Sequence, residues 1–149
     1  MSCSNLKNNS NGNGEKLEKL GLIEIQSNET YISKLIETNI KNALDVYKTK
    51  NSHEKKYTII IDVNDSIEGS LLANSIRKIE MSINYKIIEN KSNVILLSDT
   101  FSRNSLVGPI NSLFSRDQSE LNARKRLGIS VSNDLIIRLI EWASFDLVT

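Results

Sequence analysis

The stretch from Tyr57 to Ile83 constrains this chain most. The run Thr58-Ile59-Ile60-Ile61 is short, β-prone and bounded by turn-forming residues, so it reads as a buried strand from Tyr57 to Val63. It ends in Asp62-Val63-Asn64-Asp65-Ser66. There Asp65 and Glu68 have capping-box spacing, and Ile67, Leu71, Leu72, Ile76, Ile79 and Ile83 form one stripe. This pattern predicts a strand passing directly into a capped helix that ends near Asn84. A strand delivering carboxylates and hydroxyls to a strand-to-helix turn is how many α/β proteins build a site.

The flanking sequence fills in the rest of the domain. Residues 1–14 are rich in Asn, Ser and Gly and lack apolar periodicity, which predicts a disordered tail ahead of one domain over residues 15–149. Leu22 to Gln26 reads as a turn of helix or an extended segment. Ser27 or Asn28 then caps a helix with Tyr31, Ile32, Leu35, Ile36, Ile40, Leu44 and Tyr47 on one face, followed by a polar loop over Lys48 to Lys56. Tyr85–Glu89 and Val94–Ser98, separated by Asn90-Lys91-Ser92-Asn93, predict a hairpin. Pro109 to Arg126 reads as a helix stopped by Gly128, Ile129–Val131 as a short strand, and Leu135, Ile136, Leu139, Ile140 and Ala143 as the inner face of a last helix. The expected fold class is α/β, with α+β as the variant: a small mixed sheet covered by about four helices.

Composition bounds the function. The chain of 149 residues is 39% hydrophobic and 25% charged, with a formal net charge of +1, the balance of a soluble globular domain without a global nucleic-acid footprint. Its longest apolar runs are far short of a membrane span, and the polar segment Met1–Gly14 has no secretory apolar core. The single cysteine, Cys3, excludes an internal disulfide and fits a reducing compartment. The expected location is therefore intracellular, cytoplasmic or nuclear. The single histidine, His53, has neither metal-ligand spacing nor a neighbouring nucleophile, and no phosphate-binding glycine motif passes through Gly69 or Gly108.

Three constellations remain. Asp62, Asn64 and Ser66 place oxygens at alternating positions that suit a hard cation such as Mg²⁺, and Asp99, ending the run Val94 to Ser98, joins them if the two strands are parallel neighbours. The loop resembles the Asp-x-Ser-x-Ser metal-site motif of von Willebrand A-type domains, with Asn64 in place of the first Ser. That resemblance implies a cation bridging to a partner's carboxylate. It covers about a dozen residues, and no counterpart supplies the later Thr and Asp ligands. The simpler reading makes Asp65 a helix cap and Asp62 a solvated strand end.

A second constellation is Arg103, Arg116, Arg124, Lys125 and Arg126, in which Arg116, Glu120 and Arg124 form an exposed helical ladder and the cations could meet nucleic acid. A third is the apolar C-terminus, where Trp142, Phe145 and Leu147 suit docking on another protein or a second copy. With no base or nucleophile to match the acidic strand ends, the leading expectation is a non-catalytic intracellular subunit or adaptor without cofactor. A nucleic-acid binder and a Mg²⁺ site are the alternatives.

Overall fold

Strict alternation of buried and outward-facing side chains organises the centre of the domain. The computed structural model describes residues 16–50, 53–69, 76–108 and 112–145. Among the described residues there are four strands: β1 (Ile23–Ser27), β2 (Tyr57–Glu68), β3 (Arg77–Glu89) and β4 (Ile95–Val107). Two long helices accompany them, α1 (Tyr31–Leu44) and α2 (Leu113–Ser144), together with short 3-10 turns at Lys19–Leu22 and Asp45–Tyr47. The strands lie in the order β1-β2-β3-β4. β1 and β2 are parallel, with α1 as the crossover, and β2, β3 and β4 form an antiparallel meander. The result is one small mixed α+β domain.

Period-two alternation places Ile59, Ile61 and Val63 of β2, and Ile79, Met81, Ile83, Tyr85 and Ile87 of β3, on one buried face. Both helices cover that face. Ile32, Ile36, Ile40 and Leu44 of α1 and Ala123, Leu127, Val131, Leu135, Leu139 and Ala143 of α2 complete the core. The opposite face, carrying Asp62, Asn64, Asn84, Thr100, Ser102 and Asn104, is open to solvent.

The first helix, the strand Tyr57–Val63 and the hairpin turn at Asn90–Asn93 stand where the sequence places them, although the strands are longer than expected. Asn93 takes the left-handed conformation (φ 56°) that closes the hairpin, and Glu89 N–H donates to the Val94 carbonyl at 3.0 Å. The N-cap of α1 is Thr30, whose hydroxyl accepts from Ser33 N–H at 3.1 Å, rather than Ser27 or Asn28. Asn28 instead prolongs the parallel ladder: its side-chain amide donates to the Val63 carbonyl at 3.1 Å and accepts from Val63 N–H at 3.3 Å.

Two expectations are corrected. No helix starts at Asp65: β2 runs on to Glu68, and Gly69 at φ +128° leads the chain away. The segment from Arg77 to Glu89 is strand, because Ile79, Met81, Ile83, Tyr85 and Ile87 bury one side only between two paired neighbours. Leu71 and Leu72 lie outside the described residues, as do the tail 1–14, Pro109 and Leu147.

The second correction concerns α2, which is one helix of 32 residues, about 48 Å long, rather than two helices around a strand at Ile129–Val131. Gly128 does not stop it. It packs within the helix against α1, where a Cβ would lie 3.5 Å from Ile32 and Leu35 side-chain atoms.

Candidate functional site

The side of the domain where α2 crosses β4 holds most of the candidate residues. β4 is too polar to stay down by burial alone, since only Val107 is fully buried. Its helix-facing side chains compensate through charge. Arg103 makes a bidentate pair with Asp134 of α2, the Nη2–Oδ1 contact being 2.9 Å, and Arg138 donates to Asp99 at 2.8 Å. The Arg138 guanidinium also lies 4.4 Å from the centroid of Phe101, which meets Tyr85 edge-on.

Along the same helix Arg124 donates to Asp65 of β2 at 2.8 Å, and Glu120 accepts from Arg77 of β3. Thus, among the described residues, Glu120, Arg124, Asp134 and Arg138 fasten α2 to three strands by ion pairs of alternating polarity. This arrangement corrects the expected ladder of Arg116, Glu120 and Arg124. Glu120 is buried against the sheet rather than aligned on an exposed face, because helix twist carries it toward Arg77.

Of the proposed nucleic-acid set, Arg103 and Arg124 are engaged internally, and Lys125 sits over the Tyr31 ring at 5.8 Å. Arg116 is half-buried and Arg126 exposed. Arg103 is on the sheet and the other four are on the helix, so the sequence cluster is not one continuous patch. The pair with Asp134 pushes the Arg103 guanidinium further up from its already high value.

The acidic set also fails to converge. Asp62, Asn64 and Ser66 share the open face as alternate residues of a straight strand, and Asn64 donates to Asp62 at 3.0 Å. Asp99, in register with Tyr85 and hence with Ile61, projects to the helix-covered face and is held by Arg138. Thr100 is the β4 residue aligned with Asp62 through Asn84, and its hydroxyl lies 2.7 Å from the Asn84 side-chain oxygen. No group of three or more His, Cys, Asp or Glu side chains suited to a metal occurs among the described residues.

The aromatic set fares differently. A cleft of about 310 Å³ opens between the start of β4 and the end of α2, lined by Tyr85, Leu96, Leu97, Asp99, Arg138, Glu141, Trp142 and Phe145. Trp142 forms one wall, half-buried and edge-on to Tyr57 at 5.2 Å, while Phe145 is 70% exposed at the rim. Burial raises the Tyr85 phenol above its usual value, with Asp99 adding to the effect against Arg138, so it stays neutral in this cleft. The sequence could flag Trp142 and Phe145 by their place at an apolar terminus. Leu96, Leu97 and Tyr85 carry no such signal until the hairpin brings them beneath α2.

No family model matches the sequence, and no curated protein matches it significantly. Solved structures do share its fold. A candidate lipoprotein of Caulobacter crescentus superposes with TM-score 0.69 at 13% identity, over 90% of this chain and 99% of that one. The minor lipoprotein of Acinetobacter baumannii gives 0.59 at 10% identity, over 80% and 90% of the two chains. Rare lipoprotein B of Shewanella oneidensis gives 0.50 at 12% identity, over 80% and 93%.

These likenesses overturn the expectation of an intracellular adaptor or complex subunit in the cytoplasm or nucleus. Each of these three chains is described as a lipoprotein. The composition was consistent with either location, because a folded domain meets water on both sides of a membrane. Among the described residues no helix is long and apolar enough to cross a membrane.

Proposed function

We propose that this chain is the folded domain of an envelope lipoprotein, held at a membrane surface by covalent lipid on Cys3. The observation that supports it above all others is the shared fold, which accounts for nearly the whole of the Caulobacter chain. Cys3 is the one thiol in the sequence, and residues 4–14 have the Asn-, Ser- and Gly-rich composition of a tether. On this reading the single cysteine marks a lipid attachment point rather than a reducing compartment, and lipid takes the place of a spanning helix. The cleft walled by Trp142 and rimmed by Phe145 is the surface through which the tethered domain engages another protein.

Metabolic labelling with an alkyne-tagged fatty acid in the bacterium that makes the protein tests the anchor. Wild-type protein should take up label and sediment with membranes, and Cys3→Ser should lose both properties while its circular dichroism is unchanged. Unlabelled wild-type protein in the soluble fraction would refute the proposal.

A further inference from the structure

The outer edge of β4 has no strand beside it among the described residues. It is thirteen residues long and contains neither proline nor lysine, the residues that most often keep an edge from pairing. Its two charged side chains, Asp99 and Arg103, are each paired with an opposite charge on α2, so neither presents an uncompensated charge to an incoming strand. A register irregularity opposite Ile87/Ile88 interrupts the strand near its start, leaving Leu97 to Val107 as a regular ladder.

That ladder is self-complementary about Phe101. When two copies of β4 are laid antiparallel across a twofold axis at Phe101, Asp99 meets Arg103 of the second copy on the helix-covered face. On the open face Thr100 meets Ser102, and Ser98 meets Asn104. Neighbouring registers lose this match: an axis at Asp99 or Arg103 sets like charges against each other, and one at Thr100 or Ser102 leaves both charges opposite neutral residues.

We infer that the β4 edge is a dimerisation surface on which a second copy of this chain pairs, with its twofold axis at Phe101. Charge complementarity selects that occupant. Each existing ion pair abuts one of opposite order, so that Arg138, Asp99, Arg103 of the second copy and Asp134 of the second copy alternate in sign across the axis. The interface is isologous and closes at two copies. In-plane pairing keeps both helical layers on the same face of the joined sheet and leaves the open faces continuous. The inference is independent of the lipid anchor.

Sedimentation velocity of the full chain in reducing buffer, from about 1 to 300 µM, reads the association directly. The wild type should pass from monomer to dimer within that range. Thr100 and Ser102 are exposed on the open face, so both accept long side chains without disturbing the core. In Thr100→Lys/Ser102→Lys each lysine opposes a lysine of the second copy, and dimerisation should weaken by about tenfold or more, from two like-charged cross-strand pairs. Thr100→Lys/Ser102→Glu sets lysine against glutamate and should return it to at least the wild-type level.

Crosslinking supplies a second readout in a Cys3→Ser background. A mixture of Thr100→Cys and Ser102→Cys chains should oxidise to the mixed disulfide faster than either chain alone, since directly opposed strand residues meet disulfide spacing. A wild type that stays monomeric, a double-lysine variant that dimerises as well as the wild type, a lysine/glutamate variant as weak as the double lysine, or no preference for the mixed disulfide would each overturn the proposal.

Discussion

Replacing Glu120 by Gln puts the attachment of α2 to the sheet under test. The Arg77–Glu120 pair lies beneath the helix, its side chains only 13% and 9% exposed. At an effective dielectric of about 20, two unit charges roughly 3 Å apart attract by about 5 kcal/mol, most of which offsets the cost of taking both out of water. Glutamine removes the attraction and leaves Arg77 with its desolvation cost, in a position where its Nε already has no hydrogen-bond partner. The expected loss is about 3–5 kcal/mol, the range for breaking a buried pair from one side. In a chain of 149 residues that corresponds to a Tm lower by roughly 10–15 °C.

The double variant Arg77→Met/Glu120→Leu fills similar volume without charge and should recover most of the loss. Urea unfolding followed by far-UV circular dichroism measures both, with an unchanged slope confirming that the same surface is exposed. A Glu120→Gln cost below about 1 kcal/mol, or a double variant no better than the single, would refute the reasoning that this pair is buried and coupled.

Two further outcomes follow from the geometry. Burial pushes the Glu37 carboxyl up, but hydrogen bonds from Lys41 at 2.7 Å, Ser27 at 2.6 Å and Lys34 at 3.1 Å outweigh it and hold the group at about 2 against an ordinary 4.5. Because the folded value is the lower one, its contribution is complete above about pH 4.5 and is lost as pH falls toward 2. It amounts to at most about 3 kcal/mol, trimmed by the half-exposed lysines. Glu37→Gln should therefore be destabilised at pH 7 and match the wild type near pH 2 in urea titrations; an equal deficit at both would argue against the network. Gly128→Ala, with its Cβ at ordinary contact distance from α1, should stabilise α2 by up to about 1 kcal/mol in the same assay, and a loss of more than that would contradict an unbroken helix at this point.

How far the sequence reads is clearest where one signal stands alone. The stripe from Ile32 to Leu44 has only a helical solution, and the turn at Asn90–Asn93 only a hairpin one. The segment from Asp65 to Ile83 satisfied two periods at once. Ile67, Ile76, Ile79 and Ile83 lie on a helical stripe, yet Ile79, Met81, Ile83, Tyr85 and Ile87 also alternate. The polar residues Asp62, Asn64 and Ser66 imitated a turn because they line the solvated side of a one-sided sheet. β4 was invisible beyond Ser98 for a related reason: neither of its faces is apolar, and ion pairs to α2 stand in for burial.

The candidate site divides in the same way. Trp142 and Phe145 were legible as apolar side chains near an end, whereas the cleft they frame depends on Leu96, Leu97 and Tyr85 arriving from another layer. Local periodicity and turn chemistry act over neighbouring residues, and they suffice for the α1 helix, the buried strand from Tyr57 and the hairpin. Long-range packing sets the rest: β2 reaches Glu68 and β3 begins at Arg77 where a helix was expected, Gly128 sits inside one long helix, and Asp62 and Asp99 face opposite sides of the sheet. Those outcomes rest on strand partners ten or more residues apart, such as Glu68 with Lys78, and on opposing charges farther still, such as Arg77 with Glu120 and Arg103 with Asp134, and the local sequence carries no record of which partner it will meet.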